Sequence, residues 1–366
     1  MQKRILCSKK LKMDSILVFV VVLLMALGLV LLYSTSEYNG RVRFHDSAYY
    51  FKKQLFATCL GVITMYLISR VDYHVLLRWA PIFYVGSLGL STLVLVIGDE
   101  INGSKRWLSI GPLSFQPAEF AKLAVILFLS WTISKCKKRQ GMWYMLRIFM
   151  LILPIVALVG SNNLSTAVII LGIACLLLFI SNAYYLPFIG VGAAGVLFLG
   201  VFLALESYRL ERLAVWRDPE AYEKGFQTLQ GLLAIGSGGV FGVGLGNSMQ
   251  KLGFVPEAQN DMIYSIICEE TGIAGAVLLL CFFGILLWRI GRIAMAAPDL
   301  EGLLIAAGIL SHIALQVLLN VAVVTNTIPN TGITLPFISY GGTSVLFLLA
   351  EMGLALAVGR QKVSIF

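Results

Sequence analysis

Four acidic residues stand close together around the start of an apolar run, at Glu257, Asp261, Glu269 and Glu270. Carboxylates are costly beside such a run, so solvation alone is a poor explanation for the cluster. A carboxylate that is partly removed from water holds its proton more tightly and can act as a general base near neutral pH. The structural alternative for Asp261 is a helix cap, because aspartate at a helix start accepts hydrogen bonds from free backbone N–H groups.

A second segment combines basic, aromatic and acidic side chains. Arg106 and Trp107 come first, and Gln116 follows just before a predicted helix. Glu119 and Lys122 are three residues apart in the first turn of that helix, so they lie on one face and can form an ion pair. One interpretation is an interfacial pair that only orients the helix. The other has Arg106 and Lys122 binding an anionic head group, with Glu119 fixing the lysine.

A third segment, residues 331–342, is rich in hydroxyl side chains and glycine. This composition predicts a shaped and partly buried loop, although an ordinary turn between two helices fits the same residues. The helix that follows carries Glu351 inside an apolar stretch. We expect that side chain to face the interior of a helix bundle, because a lipid-facing carboxylate would be costly.

The composition indicates whether the protein folds in water or in a lipid bilayer. Hydrophobic residues make up 58% of the 366 positions and charged residues 13%, whereas soluble proteins carry about 25% charged residues. With about 20 apolar residues per crossing, the chain predicts an all-α polytopic protein with ten transmembrane helices. We treat residues 1–366 as one integral membrane domain. The net charge of +9 fits cytoplasmic anchoring and gives no support to nucleic-acid binding.

The predicted helices follow the uncharged runs of the sequence. Four lie at Ser15–Tyr33, Gln54–Ser69, Trp79–Gly98 and Pro117–Ser134, three in Ile148–Leu205, one between Met262 and Trp288, and two in Gly302–Ala350. Lys and Arg are more frequent on the side that holds both termini, which predicts cytoplasmic tails at 1–14 and 359–366. Residues 206–262 are too polar to span as a whole and are predicted to form a large extracellular loop between helices seven and eight.

Glycines recur from Gly236 to Gly246 within this predicted loop. Glycine allows the backbone to approach a ligand closely, or to re-enter the membrane surface in a tight turn. The run lacks the Lys-Ser/Thr ending and the preceding strand of a P-loop, so it does not indicate nucleotide binding. The six cysteines show no CxxC spacing and the three histidines are far apart in sequence, so neither a disulfide framework nor a metal cluster is predicted.

The three polar segments together resemble the SEDS family, whose members include FtsW, RodA and SpoVE. The resemblance is carried by Arg106-Trp107 with Gln116-Pro117-Ala118-Glu119, by Pro256-Glu257 to Asp261 leading into Glu269-Glu270, and by Leu335-Pro336-Phe337 to Ser339-Tyr340-Gly341-Gly342. These motifs stand in the family's order and spacing, and ten helices agree with its topology. Trp216-Arg217-Asp218-Pro219 and Gly225-Phe226-Gln227 are more similar to the FtsW and SpoVE branch than to RodA.

The resemblance implies a peptidoglycan glycosyltransferase of the bacterial cytoplasmic membrane that acts in division or sporulation. It would polymerise lipid II at the outer face, with a class B penicillin-binding protein as its transpeptidase partner and with other division proteins. The family's essential loop aspartate corresponds to Asp261, which would be the general base of an inverting transfer.

The resemblance also marks the positions expected to bind substrate. They are Arg106, Trp107, Gln116, Glu119, Lys122, Glu257, Ser339 and Gly341. Arg106 and Lys122 are the candidates for compensating the charge of the lipid pyrophosphate that leaves. No cofactor is assigned, although a divalent cation, Mg²⁺ or Mn²⁺, could share that task.

The chain departs from the family pattern in three places, one of which is Asn326, where Gly is common. Asn162-Asn163-Leu164-Ser165-Thr166 stands where many members have Pro-Asp-Leu-Gly-Thr, so no role of that acid carries over. Asn260 and Met262 replace the usual Thr and Phe around the aspartate. Two other functions stay open at this point: a lipid II flippase, since buried polar residues also serve translocation, and a non-catalytic division scaffold.

Overall fold

The computed structural model of the protein describes residues 13–101, 104–110, 113–136, 141–181 and 213–361. The helices are α1 (Ser15–Phe44), α2 (Tyr49–Arg70), α3 (Tyr73–Arg78), α4 (Ala80–Ile97), α5 (Pro117–Lys135), α6 (Met142–Asn162), α7 (Leu164–Ser181), α8 (Phe226–Ser237), α9 (Ile263–Met295), α10 (Leu300–Val324) and α11 (Gly342–Arg360). The strands are β1 (Asp99–Ile101), β2 (Ser104–Ile110) and β3 (Leu113–Phe115). Two short 3-10 turns, Pro219–Ala221 and Glu223–Gly225, precede α8.

Nine helices in the described part of the chain are long and apolar enough to cross a membrane. They are α1, α2, α4, α5, α6, α7, α9, α10 and α11, and they coincide with nine of the ten predicted spans. The predicted seventh span falls within residues 182–212 and lies outside the described residues. The predicted class of an all-α polytopic membrane protein is therefore confirmed. Most of both predicted tails, residues 1–12 and 362–366, also lies outside the described residues.

The centre of the bundle is formed by α5, α10 and α11, the three spans with the largest buried share. Helix α11 packs along α2, and α10 contacts α5, α7, α9 and α11. Helices with apolar residues on all sides are typical of such a position. The polar side chains that these central helices carry must therefore find partners inside the protein.

A small antiparallel sheet occupies part of the segment between α4 and α5, where the sequence predicted only a loop. The strand order is β1-β2-β3, with Trp107 opposite Asp99 and Leu108 opposite Phe115. Strand β2 contacts α4, α5 and α6. Residues 104–110 alternate polar and apolar side chains only in part, so their sequence pattern does not predict a strand.

Helix α9 is broken near its start at Gly272, whose φ is 69°. The glycine-rich segment fills this break. Amides of the segment donate to the carbonyl oxygens of Glu269 and Glu270 at 3.0 Å, and carbonyls of the segment accept from Ile273 and Ala274 at 3.0 Å. Backbone groups released by a helix break at membrane depth must be satisfied by protein in this way. The close approach predicted for these glycines is therefore made to the protein's own helix.

Candidate active site

Asp261 lies in the turn that leads into α9 and is partly buried. Gln227 donates from Nε2 to Asp261 Oδ1 at 3.4 Å, and Asn320 donates from Nδ2 to the Asp261 carbonyl at 2.9 Å. The cap position of α9 is Met262, and the helix has no side-chain cap. The capping alternative for Asp261 therefore does not hold. Its carboxylate accepts from the Gln227 side chain instead.

Burial is the main cause that raises the pKa of the Asp261 carboxyl, to about 6 from its ordinary value of 3.8. The negative charge of Glu257 raises this pKa further. Hydrogen bonds from backbone amides and from Gln227 act in the opposite direction, because they stabilise the ionised form. A carboxyl with a pKa near 6 is ionised at neutral pH and still a stronger base than an ordinary aspartate.

Glu257 stands in the same turn with a left-handed backbone, at a φ of 49°. Its Oε2 accepts from Asn260 Nδ2 at 2.9 Å, and its Oε1 lies 3.8 Å from Arg43 Nη1. More than a third of this side chain is exposed. Glu257 thus sits at the surface of the site, where it acts on Asp261 through its charge.

The other two carboxylates of the acidic cluster have structural partners. Glu269 accepts from the Met249 amide at 3.1 Å. Glu270 forms an ion pair with Lys251 at 2.7 Å and accepts from Ser34 at 2.8 Å. Both are buried at 3% exposure or less. They fasten residues 249–251, which follow the glycine-rich segment, to α9 and α1, and the structure separates their role from that of Asp261.

Arg106 borders a small cavity between α4, β2, the start of α5 and the end of α6, with both polar and apolar side chains in its wall. Its lining includes Ser91, Lys105, Arg106, Gln116, Asn162 and Asn163. Arg106 Nε donates to the Asn162 carbonyl at 2.8 Å, and Asn162 Nδ2 donates to the Lys105 carbonyl at 2.6 Å. Trp107 lies beside this cavity in β2 but is not part of its lining. The cavity unites two basic residues with the amino end of a long helix, which favours anions.

The predicted pair of Glu119 and Lys122 is present. Lys122 Nζ lies 3.0 Å from Glu119 Oε1 and also donates to Gln316 Oε1 at 3.0 Å. Lys122 is only 1% exposed and does not line the cavity beside Arg106. The structure therefore does not bring Arg106 and Lys122 together around one open site, because the lysine points into the bundle.

Ser339 and Gly341 lie in a loop that is held on α2 by Gln54. Gln54 donates from Nε2 to the Ser339 carbonyl at 3.2 Å and accepts at Oε1 from the Gly341 amide at 3.1 Å. The Ser339 hydroxyl accepts from the Leu335 amide at 2.8 Å. The same loop reaches Asp261 through Gly332, where an added Cβ would lie 3.8 Å from Asp261 Oδ2. Ser339 and Gly341 thus shape the loop that lies against Asp261.

The departure at Asn162-Asn163 has a structural explanation. Asn163 Oδ1 accepts from the Thr166 amide at 3.1 Å at the start of α7. Aspartate makes the same hydrogen bond at such a position, so the amide preserves the local cap that the family's acid would form.

Several residues that contact the site were missed by the sequence analysis. Gln227 was recognised only as part of a family motif, while His312, Gln316 and Asn320 were overlooked inside an uncharged run. Their spacing of four residues places them on one face of α10 and is the signal that was available. Within the described residues, no group of three or more His, Cys, Asp or Glu side chains is placed to hold a metal ion.

Comparison with known proteins identifies relatives along nearly the whole chain. The family model of FtsW, RodA and SpoVE, described as cell cycle protein, matches residues 14–364. Stage V sporulation protein E of Bacillus subtilis (strain 168) is 40% identical over 367 residues, covering 97% of this chain and 99% of that protein. The probable peptidoglycan glycosyltransferase FtsW of Geobacter sp. (strain M18) is 35% identical over 356 residues, covering 95% and 97%.

Solved structures agree with these relatives. A chain of a peptidoglycan synthase complex matches with a TM-score of 0.82 and 31% identity, covering 97% of this chain and all of that chain. The rod shape determining protein RodA of Thermus thermophilus matches with a TM-score of 0.72 and 31% identity, covering 97% and 99%. Together with the nine apolar helices in the described part of the chain, the bacterial relatives indicate a multi-pass protein of the bacterial cytoplasmic membrane. The resemblance predicted from the motifs is confirmed, and the chain belongs to the FtsW, RodA and SpoVE family.

Proposed function

We propose that this protein is a peptidoglycan glycosyltransferase that polymerises lipid II at the outer face of the cytoplasmic membrane, with Asp261 as the general base. The observation that carries the proposal is the Asp261 carboxyl itself, whose pKa burial raises to about 6. The FtsW relatives, which are named probable peptidoglycan glycosyltransferases, support the same reaction class. The predicted orientation, with both termini in the cytoplasm, puts the Asp261 turn outside.

The proposed reaction is a single displacement. A sugar hydroxyl of one substrate attacks the anomeric carbon of the other, forming a C–O bond while the bond from that carbon to the pyrophosphate oxygen breaks. The bonding electron pair leaves with the lipid pyrophosphate, and the hydroxyl proton moves to the Asp261 carboxylate. One displacement inverts the anomeric carbon, so no second carboxylate is required as a nucleophile.

Charge compensation for the leaving pyrophosphate is assigned to two regions. The cavity beside Arg106 offers Lys105, Arg106 and the amino end of α5 to an anion. Lys122 lies deeper and is paired with Glu119, so we assign it a part in charge compensation through the orientation of that ion pair and not through a net positive charge. Gln116 borders the cavity and Trp107 lies beside it, consistent with the substrate contacts predicted for this segment. The lipid tail would remain between helices in the membrane.

A partner protein is part of the proposal. A structural relative comes from a peptidoglycan synthase complex, in which polymerization and crosslinking are coordinated. We infer that this chain likewise acts with a class B penicillin-binding protein that supplies the transpeptidase. The similarity to both SpoVE and FtsW proteins supports a role in sporulation or division.

The proposal is tested with purified protein, its partner and labelled lipid II, by comparing wild type with Asp261→Ala. We expect glycan strands from wild type and a loss of about 100-fold or more in the variant, the contribution of a general base. Asp218→Asn is the matched control, because Asp218 is an exposed aspartate between α7 and α8. Equal strands from wild type and Asp261→Ala would refute the base assignment. Transport of lipid II across vesicles without polymer would favour a flippase.

A further inference from the structure

A continuous chain of polar contacts runs through the centre of the bundle. Its members, in order, are Glu119, Lys122, Gln316, His312 and Glu351. Three central helices, α5, α10 and α11, supply them, and none is more than 6% exposed. The prediction that Glu351 faces the interior is confirmed. Charged groups at this depth persist only when each has a partner. The contacts of each member therefore indicate its orientation and which atoms carry protons.

The orientation of the Gln316 amide is fixed by its two ends. Lys122 Nζ lies 3.0 Å from Gln316 Oε1, and an ammonium can only donate. Gln316 Nε2 lies 3.0 Å from the Thr334 carbonyl, which can only accept. The amide oxygen must therefore face Lys122 and the amide nitrogen must face Thr334. The opposite orientation would set donor against donor and acceptor against acceptor.

The state of His312 follows from that orientation. His312 Nε2 lies 2.8 Å from Gln316 Oε1, which is an acceptor, so Nε2 must carry a hydrogen. His312 Nδ1 lies 2.8 Å and 3.0 Å from the two carboxyl oxygens of Glu351. A proton must then lie between Nδ1 and the carboxyl group, whether it belongs to an imidazolium or to a neutral acid. In either form the pair has no net charge and presents an Nε2–H to Gln316.

We propose that His312 and Glu351 are positioning residues for the reaction proposed above, on which this inference rests. Glu351 keeps Nε2 of His312 protonated, because the partner of one ring nitrogen determines the state of the other. The Nε2–H in turn donates to Gln316 Oε1 and so stabilises, together with Lys122 and Thr334, the orientation of the Gln316 amide. Glu351 thereby acts at a distance on the lysine ammonium.

The network also reaches the loop next to Asp261. Thr334 follows Ile333, whose carbonyl accepts from Asn320 at 2.6 Å, and the same Asn320 amide donates to the Asp261 carbonyl at 2.9 Å. Asn320 stands one turn after Gln316 on α10. A change in the orientation of Gln316 therefore disturbs both Lys122 and the loop that lies against Asp261.

Two substitutions of Glu351 separate this role from simple packing. Glu351→Leu removes the partner of Nδ1, so His312 populates both neutral tautomers, and the one with a bare Nε2 repels the Gln316 oxygen. We expect turnover at saturating lipid II to fall about 10- to 100-fold, as for small misplacements of reacting groups, while KM changes less than about threefold. Glu351→Gln can donate from its amide to Nδ1 and so retain Nε2–H. It should restore most of the turnover.

The state of His312 is measured directly by NMR of protein labelled with ¹⁵N-histidine. The chain has three histidines, and the signals of His312 are assigned with His312→Gln. At pH 7 we expect a protonated Nε2 in wild type and in Glu351→Gln, and a mixture of tautomers in Glu351→Leu. Ser311→Ala is the matched control, because Ser311 is the neighbouring buried residue on α10 and its hydroxyl donates to the Ala307 carbonyl of its own helix, at 2.7 Å.

The outcomes distinguish this inference from the proposed function. A bare Nε2 in wild type would overturn it, and so would normal turnover in Glu351→Leu. Loss of turnover in Glu351→Leu that Glu351→Gln does not restore would also contradict it. If wild type formed no glycan strands at all, the proposed function would fail, and the positioning role with it. The ¹⁵N signals of folded protein would still decide whether Glu351 fixes the state of His312, because they do not depend on strand formation.

Discussion

The raised pKa of Asp261 predicts a specific pH dependence of glycan polymerisation. A general base must be ionised to accept a proton, so the rate should rise as pH increases through the pKa of Asp261. That pKa is about 6, whereas an ordinary aspartate has a value of 3.8. The ionised fractions of Asp261 that these two pKa values give differ most between about pH 4 and pH 6, and they still differ at pH 5, where the membrane and the substrate can both be studied.

The size of the effect follows from the ionised fraction. With a pKa of about 6, roughly 10% of Asp261 is ionised at pH 5 and roughly 90% at pH 7, so kcat/KM should rise about ninefold. With an ordinary pKa, the same interval would change the rate by only about 10%. The carboxylate of Glu257 contributes to the raised value. Glu257→Gln should therefore shift the midpoint to lower pH, because the neutral amide no longer opposes ionisation of Asp261.

The assay is the initial rate of strand formation at low lipid II concentration, measured from pH 5 to pH 8 with the partner present. Wild type and Glu257→Gln are compared in the same buffers, and recovery of activity after return to pH 7 excludes irreversible inactivation. A profile that is flat between pH 5 and pH 7 would refute the reasoning. A midpoint that moves upward in Glu257→Gln would also contradict it, since the charge would then act with the wrong sign.

Three further predictions concern stability, each measured by thermal unfolding in detergent. Because the pKa of Asp261 is raised in the folded protein, the free energy of unfolding falls as pH rises from about 4 to about 6. Asp261→Asn should therefore be more stable than wild type at pH 7, by up to about 3 kcal/mol. Equal stability would argue against the raised pKa. Gly272→Ala should lower Tm strongly, because its φ is 69° and an added Cβ would clash with the Gly242 amide. Gly284→Ala has open space and should be tolerated, and similar Tm values for the two variants would contradict the helix break. Asn163→Ala should lower the free energy of unfolding by about 1 kcal/mol, because α7 loses its cap, whereas Asn163→Asp should keep the cap and the stability. A larger loss in Asn163→Asp than in Asn163→Ala would exclude the cap.

The apolar runs were sufficient to predict the spanning helices in the described part of the chain. Such runs need only length and composition to be recognised, since every lipid-exposed backbone group must be satisfied within its own helix. The ion pair of Glu119 and Lys122 was predictable for a similar reason, because i,i+3 spacing fixes neighbours within one helix. Local geometry thus allowed both predictions.

Contacts between distant segments were not predictable from the sequence. The acidic cluster looked like one unit, yet Glu270 pairs with Lys251, while the Asp261 backbone is held from α10. Lys122 and Arg106 looked like one anion site, yet the lysine turns inward to Gln316. Each of these outcomes depends on which helices become neighbours, and hydrophobic pattern alone does not encode that order.

Strand synthesis by the purified wild-type protein is the most direct test of whether this chain is the polymerase. Labelled lipid II is incubated with the partner alone, and with the partner together with this protein, and the glycan products are separated by length. We expect strands only when this protein is present. Lipid II that stays monomeric in the bound complex, or equal strands from the partner alone, would contradict the assignment of this chain as the polymerase.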